Sequence, residues 1–310
     1  MLRFFSLSFC FLILLSLLVC PSFAEEADIL SDTLYMENSY NFVDGSMDIS
    51  KGIPEDAQGR LLEIRLRGQL TVATEPYFPP QEFLDPSKEG QEQFQGADME
   101  LARYIAEKMG VELVIVPLEF SDALEQVAEG TYDLAISGLA FTPARADMLT
   151  MSKGYHYPAD PDTNGLMVRT SDLDSIQRIS DLSSLNIAAQ SGSLQETIGA
   201  DNIFMYHEFI RYSSIQDVYD ALTLGRAEVA VVDLETAQDY IARNPACGLS
   251  ILPFVRFSLA EQYLGDRVAA KKGEVELMYF VNGVIDELLE SGAYETWFQT
   301  CADYAASLTR

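Results

Sequence analysis

Between residues 69 and 243 the spacing of hydrophobic positions switches repeatedly between two periods. Short apolar runs at 69–74, 112–118, 132–137, 186–190, 203–206 and 228–232 have the length and boundaries of buried strands. The segments between them repeat every three to four residues and read as helices at 97–109, 121–129, 214–224 and 234–243. On the first of these, Met99, Leu101, Ala102, Ile105 and Ala106 gather on one side, and Gly110 supplies the stop. Ser121 and Ser193 stand where helix N-caps belong. Alternating strands and helices predict an α/β fold with mainly parallel sheets. Two further helices, 274–290 and 293–301, are split by Ser291-Gly292 and are expected to pack back onto the first half of the fold.

The pattern also runs twice. Gly130 to Ile136 and Gly225 to Val231 both read Gly-x-x-acid-apolar-Ala-apolar, a helix stop feeding a buried strand. That echo predicts two similar α/β lobes. Upstream, residues 25–68 form an acidic extension. Glu25 to Gly52 lacks periodicity and reads as a loosely ordered arm, and Pro54 to Arg67 reads as a helix stopped by Gly68. Met1 to Ala24 has one basic residue, an apolar run and a small-x-small end, Ser22-Phe23-Ala24, which is the pattern of a secretory signal peptide. Lipid anchoring through Cys20 fits poorly, because Leu17-Leu18-Val19 precedes it.

Composition narrows the chemistry. The chain of 310 residues is 48% hydrophobic and 22% charged, an ordinary globular balance with enough apolar surface for real cores. Its formal charge of −28 repels phosphate backbones, so no nucleic acid and no anionic membrane surface is expected as a partner. Only two histidines occur, His156 and His207, with no HExxH and no CxxC. A histidine-built zinc site or a Ser-His-Asp triad is therefore hard to assemble, and neither metal nor cofactor is expected. Signal cleavage leaves Cys247 and Cys301 in an oxidising compartment.

In open α/β sheets, ligands bind beyond the carboxyl ends of the strands. The residues there are Glu75 to Pro80, displaying Tyr77 and Phe78; Ser137 to Arg145, with Pro143 suited to the first turn of a short helix; Ser191-Gly192-Ser193; and Asp233. A guanidinium fork and a helix N-terminus suit a carboxylate, Asp233 suits an ammonium, and an aromatic face suits the remainder. An α-amino acid is the simplest ligand that carries both charges on adjacent atoms. Glu75 reads as a local loop partner or a ligand contact, and Asp233 as a contact or the cap of the helix that follows it.

At these residues the chain resembles a family. Gly68 to Val72, Phe94 to Ala102, Gly130 to Ser137, Phe141 to Arg145, Ser180 to Leu182, Ser191 to Ser193 and Gly225 to Asp233 are similar, in order and spacing, to the extracytoplasmic solute-binding proteins of amino-acid ABC transporters. That family shares its core with the ligand-binding domains of ionotropic glutamate receptors. The resemblance implies a two-lobed Venus-flytrap fold of the type II periplasmic binding proteins, with lobe 1 at 69–167 plus 266–310 and lobe 2 at 168–265. It implies that Arg145 grips the ligand α-carboxylate, helped by the N–H groups of Ala140 and Ser193. Asp233 and the Gly138 carbonyl would take the α-amino group, and Phe78 or Phe94 would cover the side chain. Ala140 departs from a usual Ser or Thr, and Leu194 from a frequent Thr. A disulfide between Cys247 and Cys301 follows from the glutamate-receptor likeness. A monomer outside the cytoplasm is implied, handing an amino acid to a membrane ABC permease. A sensing subunit for a separate receptor and a periplasmic dehydratase on the same scaffold are the rival readings.

Overall fold

The computed structural model describes residues 42–158, 160–259 and 264–308; the expected signal peptide and arm residues 25–41 lie outside them. The chain folds around two five-stranded sheets. The first is ordered β5-β1-β6-β13-β7, from β1 (Gln69–Thr74), β5 (Glu112–Pro117), β6 (Leu134–Ala135), β7 (Leu149–Met151) and β13 (Ala269–Lys271). The second is ordered β10-β9-β11-β8-β12, from β8 (Asn164–Arg169), β9 (Asn186–Gln190), β10 (Glu208–Tyr212), β11 (Val229–Asp233) and β12 (Leu249–Ile251). In each sheet three parallel strands form one side and antiparallel strands complete the other. A small antiparallel flap, β2 (Tyr77–Phe78), β3 (Glu82–Leu84) and β4 (Phe94–Gln95), stands over the end of β1.

The repeated Gly-x-x-acid motif has a physical role in both lobes. Asp133, just before β6, accepts hydrogen bonds from the Thr71 N–H (2.7 Å) and hydroxyl (2.7 Å) on β1. Glu228, just before β11, accepts from the Asn186 N–H at the start of β9 (2.9 Å). In each case the acid caps the neighbouring parallel strand, so the motif sets the register at the entrance to each sheet.

The helices match the expected periods. They are α1 (Gly59–Arg67), α2 (Ala97–Met109), α3 (Phe120–Glu129), α4 (Pro143–Met148), α5 (Leu194–Asn202), α6 (Ile215–Thr223), α7 (Leu234–Arg243), α8 (Val275–Ser291) and α9 (Ala293–Ser307). The entry to α2 requires glycine. Gly96 has φ +123°, and a Cβ there would lie 2.0 Å from the Gln81 carbonyl oxygen, so the flap and helix close on each other only because no side chain intervenes. The two C-terminal helices do pack onto the first lobe: Leu277, Phe280, Val281, Val284 and Tyr294 share its core with Leu70, Leu101 and Ile105.

Three expectations change. Residues 203–206 are not a strand. The strand that pairs with β9 begins at Glu208, in register with Asn186, and leaves Phe204 and Met205 exposed in the loop before it. Residues 164–167, expected in lobe 1, lie on β8 in the second sheet, and the crossovers between the sheets include Tyr155–His156 and Asp266. There Tyr155 N–H bonds the Asp266 carbonyl (2.9 Å) and Asp266 N–H bonds the His156 carbonyl (2.8 Å), which ties the two crossovers together.

The described part of the arm, from Phe42, finally packs as part of lobe 1. Phe42 bridges Met151, and its ring meets Phe141 edge-on at 6.1 Å beneath the Arg267 guanidinium. Asn282 on α8, fully buried, donates to the Val43 (2.6 Å) and Gly45 (2.8 Å) carbonyls and accepts from the Lys153 N–H (3.1 Å). The absent side chain of Gly283 makes room for the Met47 carbonyl, 2.4 Å from where a Cβ would sit. Asn282→Leu strips three part-buried backbone bonds of their side-chain partner. It is expected to cost about 2–4 kcal/mol of stability in chemical denaturation and to speed hydrogen exchange at 43–47. Unchanged exchange there would contradict the pinning role.

Candidate ligand-binding cleft

The carboxyl ends of β1, β6, β9 and β11 face one cleft of about 740 Å³ between the two sheets. β1 delivers Glu75, β6 delivers Ser137 and Gly138, β9 delivers Gln190 and β11 delivers Asp233. Chain direction explains the convergence, since parallel strands end on the same side and their last residues point past the sheet edge.

Arg145 comes from the short helix α4. Thr142 caps that helix by accepting the Arg145 N–H (3.2 Å), Pro143 fills its first position, and the guanidinium is aimed inward. The side chain is 5% exposed. Nη1 donates to the Ala140 carbonyl (2.6 Å), Nη2 crosses to the Gly192 carbonyl of the other lobe (3.1 Å), and the guanidinium lies 5.2 Å from the Phe120 ring centre. Burial pulls its pKa down to about 10, with Asp266 opposing, so it stays charged at neutral pH.

Asp233 faces the same cleft from the second lobe. Its Oδ1 caps α7 by accepting the Thr236 N–H (2.9 Å), so the capping reading and the cleft reading hold together. Burial raises its pKa, and the bonds to Thr236 oppose the rise. Gly138 has φ +54° and sits under the Phe78 ring; its N–H donates to Asp98 Oδ2 (2.8 Å). Ala140 lines the cleft with its carbonyl held by Arg145.

Glu75 is 3% exposed, and its Oε2 accepts from Gln190 Nε2 across the cleft at 2.6 Å. Its Oε1 has no hydrogen-bond partner. Burial lifts its pKa to about 7; Gln190 opposes the shift and the nearby Glu119 adds to it. Beside it, Glu82 Oε1 accepts from Ser137 Oγ (2.9 Å), and burial together with Asp98 holds Glu82 well above the usual carboxylate range. Asp266 lines the cleft as well and is raised by burial and by Asp98. Behind this wall, Asp98 accepts from Tyr155 Oη (2.9 Å), Tyr294 Oη (2.6 Å) and Gly138 N–H.

The cleft therefore brings together Glu75, Phe78, Gly138, Ala140, Arg145 and Asp233. Two expected contacts lie elsewhere. Phe94 is buried in a side core with Met99 and Ile115, because the pleat of β4 turns its ring toward α2 and β5. Ser193 is taken by its own turn: its Oγ accepts from Glu196 N–H (3.0 Å) and donates to the Gln190 carbonyl (2.7 Å), and its N–H faces that carbonyl at 3.3 Å. Leu194 and Gln195, the next two residues, line the cleft instead. The expected disulfide is also overturned, because Cys247 and Cys301 are free thiols. Cys247 packs in the second lobe with Tyr240 and Ile241. Cys301 sits on α9 near Gly96 in the first lobe, where burial raises its thiol to about 11. Sequence reasoning passed over Gln190, Glu82 and Asp266. Gln190 is the final residue of a run already read as a strand, so the strand-end rule could have found it.

Residues 70–300 match the family of bacterial extracellular solute-binding proteins, family 3. The chain belongs to this family. It is 26% identical over 240 residues to a probable histidine-binding protein of Campylobacter jejuni, covering 73% of this chain and 82% of that protein. It is 26% identical over 235 residues to the arginine-binding extracellular protein ArtP of Bacillus subtilis, covering 74% and 86%. Among solved structures, an amino acid ABC transporter substrate-binding protein, AbpA, from Streptococcus pneumoniae bound to L-arginine superposes with a TM-score of 0.68 at 30% identity, covering 79% of this chain and 98% of that one. The family match begins at β1, so α1 and the ordered arm are additions around this chain's shared solute-binding core.

The raised Glu75 carboxyl gives this family-3 protein a measurable pH signature. Folding lifts Glu75 from 4.5 to about 7, so the folded state holds that proton more tightly. The associated stability is complete below pH 4.5 and is lost as pH rises toward 7. Glu75→Gln removes this dependence. In the unliganded protein its stability advantage should grow from near zero at pH 4.5 to as much as about 3 kcal/mol at pH 7.5. Parallel stability curves for wild type and variant would refute the assignment.

Proposed function

We propose that the protein captures an α-amino acid between its lobes, outside the cytoplasm, and delivers it to a membrane ABC permease. The observation that carries this reading is the pairing of one buried guanidinium, Arg145 on lobe 1, with one half-buried carboxylate, Asp233 on lobe 2, facing the same cleft. A zwitterion satisfies both groups at once, and only when the lobes are together. The carboxylate lies on the Arg145 fork, the ammonium lies on Asp233 and the Gly138 carbonyl, and Phe78 covers the side chain. The L-arginine held by the Streptococcus pneumoniae neighbour supports an amino acid as occupant, and the names of the Campylobacter and Bacillus relatives agree.

Capture then follows from geometry. The ligand bridges two lobes that meet through the paired crossovers at Tyr155–His156 and Asp266, and closure is a hinge motion about them. No step in this cycle makes or breaks a covalent bond.

Arg145→Ala leaves the ligand carboxylate unpaired in a desolvated cleft. It should weaken binding by roughly 2–5 kcal/mol, or about 30-fold to several thousand-fold, in calorimetry against L-amino acids. Arg145→Lys should fail as well, because a point charge cannot reproduce the fork. A variant that binds within threefold of wild type would sink the reading.

A further inference from the structure

The floor of the cleft holds more carboxyl oxygens than donors for them. Glu82 on β3 is 1% exposed and lines the cleft. Its Oε1 accepts the single hydrogen of Ser137 Oγ (2.9 Å). That hydroxyl already accepts from Thr74 Oγ1 (3.3 Å) and the Glu75 N–H (3.1 Å), so it has nothing further to give. Glu82 Oε2 is buried and has no donor. The group in side-chain hydrogen-bond contact with Glu82 is Asp98, a second carboxyl group. Two ionised carboxylates have no hydrogen to place between them, and they repel. Asp266 adds a third charge of the same sign. The backbone nonetheless presses the pair together. Ala97 N–H donates to the Pro80 carbonyl (3.0 Å) and Asp98 N–H to the Gln81 carbonyl (2.9 Å), which stitches the flap to the first turn of α2. The donors fall on one partner only. Asp98 accepts from Tyr155, Tyr294 and the Gly138 N–H, whereas Glu82 has Ser137 alone. Burial keeps Tyr155 and Tyr294 neutral, and the Arg145 charge acts on Asp266. Among the described residues no group of three acid or histidine side chains is placed to hold a metal ion.

We propose that Glu82 is a protonated carboxylic acid that donates from Oε2 to Asp98, and that it is the positioning residue that holds the Phe78 strand over the cleft floor. The proton resolves both defects at once: it fills the orphaned oxygen and removes one of the two facing charges. It belongs on Glu82 because the donors that stabilise a charge converge on Asp98, which also stands at a helix N-terminus. Burial and the Asp98 charge push the Glu82 carboxyl in the same direction, well above the usual range. The consequence for binding runs through the flap. Glu82 is the direct cross-strand partner of Phe78, and the Phe78 ring lies over Gly138, whose N–H is held by the same Asp98. One proton thus ties the aromatic cover of the site to its floor. The positioning role rests on the reading above, that an amino acid occupies the cleft; the proton does not.

The test has two arms. The first is carbon-13 NMR of the protein labelled at its glutamate side-chain carboxyls, with the Glu82 resonance identified by its loss in Glu82→Gln. At neutral pH that resonance is expected at the position of a protonated acid; a carboxylate resonance there overturns the proposal. The second is calorimetry against the common L-amino acids. Glu82→Met, of similar size but without a donor, should weaken the ligand that wild type binds by about tenfold or more. Glu82→Gln keeps an acceptor for Ser137 and a donor for Asp98 with no charge, so it should recover affinity to within about threefold of wild type. A methionine variant that binds as wild type does, or a folded glutamine variant as weak as the methionine one, overturns the positioning role; the glutamine variant also covers a methionine variant that folds poorly. Absence of binding by wild type to every amino acid overturns the amino-acid reading instead, and the NMR arm still decides the proton.

Discussion

Asp98 has no access to solvent, and it accepts hydrogen bonds from three separate parts of the chain. Tyr155 reaches it from the first crossover, Tyr294 from the C-terminal helix α9, and the Gly138 N–H from the floor of the cleft. The carboxylate itself sits in the first turn of α2, where the helix N-terminus favours negative charge. A buried carboxylate is tolerable only when its lone pairs are filled. That requirement holds the hinge, the tail and the cleft floor in one arrangement. It also explains why the two C-terminal helices belong to the first lobe although they follow the second in sequence. Losing any one donor would leave the charge under-satisfied, so cleft geometry and hinge position stand or fall together.

The same carboxylate adds to the electrostatics of the site. Burial raises Glu82 and Asp266, and the nearby Asp98 charge raises both further. Farther along the wall, Glu75 is raised mainly by burial. Arg145 remains charged because even a guanidinium pulled down to about 10 keeps its proton at neutral pH. The Arg145 fork is thus a fixed positive charge in a cleft lined by raised carboxyl groups, and a ligand with a carboxylate fits that fork.

Much of the fold was legible in the sequence because it rests on periodicity. The strand and helix periods, the glycine stops and the repeated Gly-x-x-acid motif correspond to real elements, and the motif's acids bond neighbouring strands in both lobes. The cleft position of Arg145, Asp233, Gly138 and Glu75 followed from one topological rule about strand ends. What escaped has local causes. Ordered arm residues 42–57 carry no period, because hydrogen bonds from Asn282 and a notch at Gly283 hold them, features that lie far away in sequence. Phe94 sits on a two-residue strand, too short for alternation to reveal which face its ring takes. The 203–206 run is apolar yet outside the sheet, because register there is set by β9 pairing with 208–212. The disulfide rested on likeness alone, and the two thiols pack in different lobes.

The orientation of the bound amino acid tests the account most directly. A crystal structure of the protein grown with L-arginine should place the α-carboxylate on the Arg145 guanidinium and the α-ammonium on Asp233. The side chain should lie beneath the Phe78 ring, with Gln190 still bonded to Glu75 across closed lobes. A ligand turned end for end, or one that touches a single lobe while Glu75 and Gln190 stay apart, would contradict it.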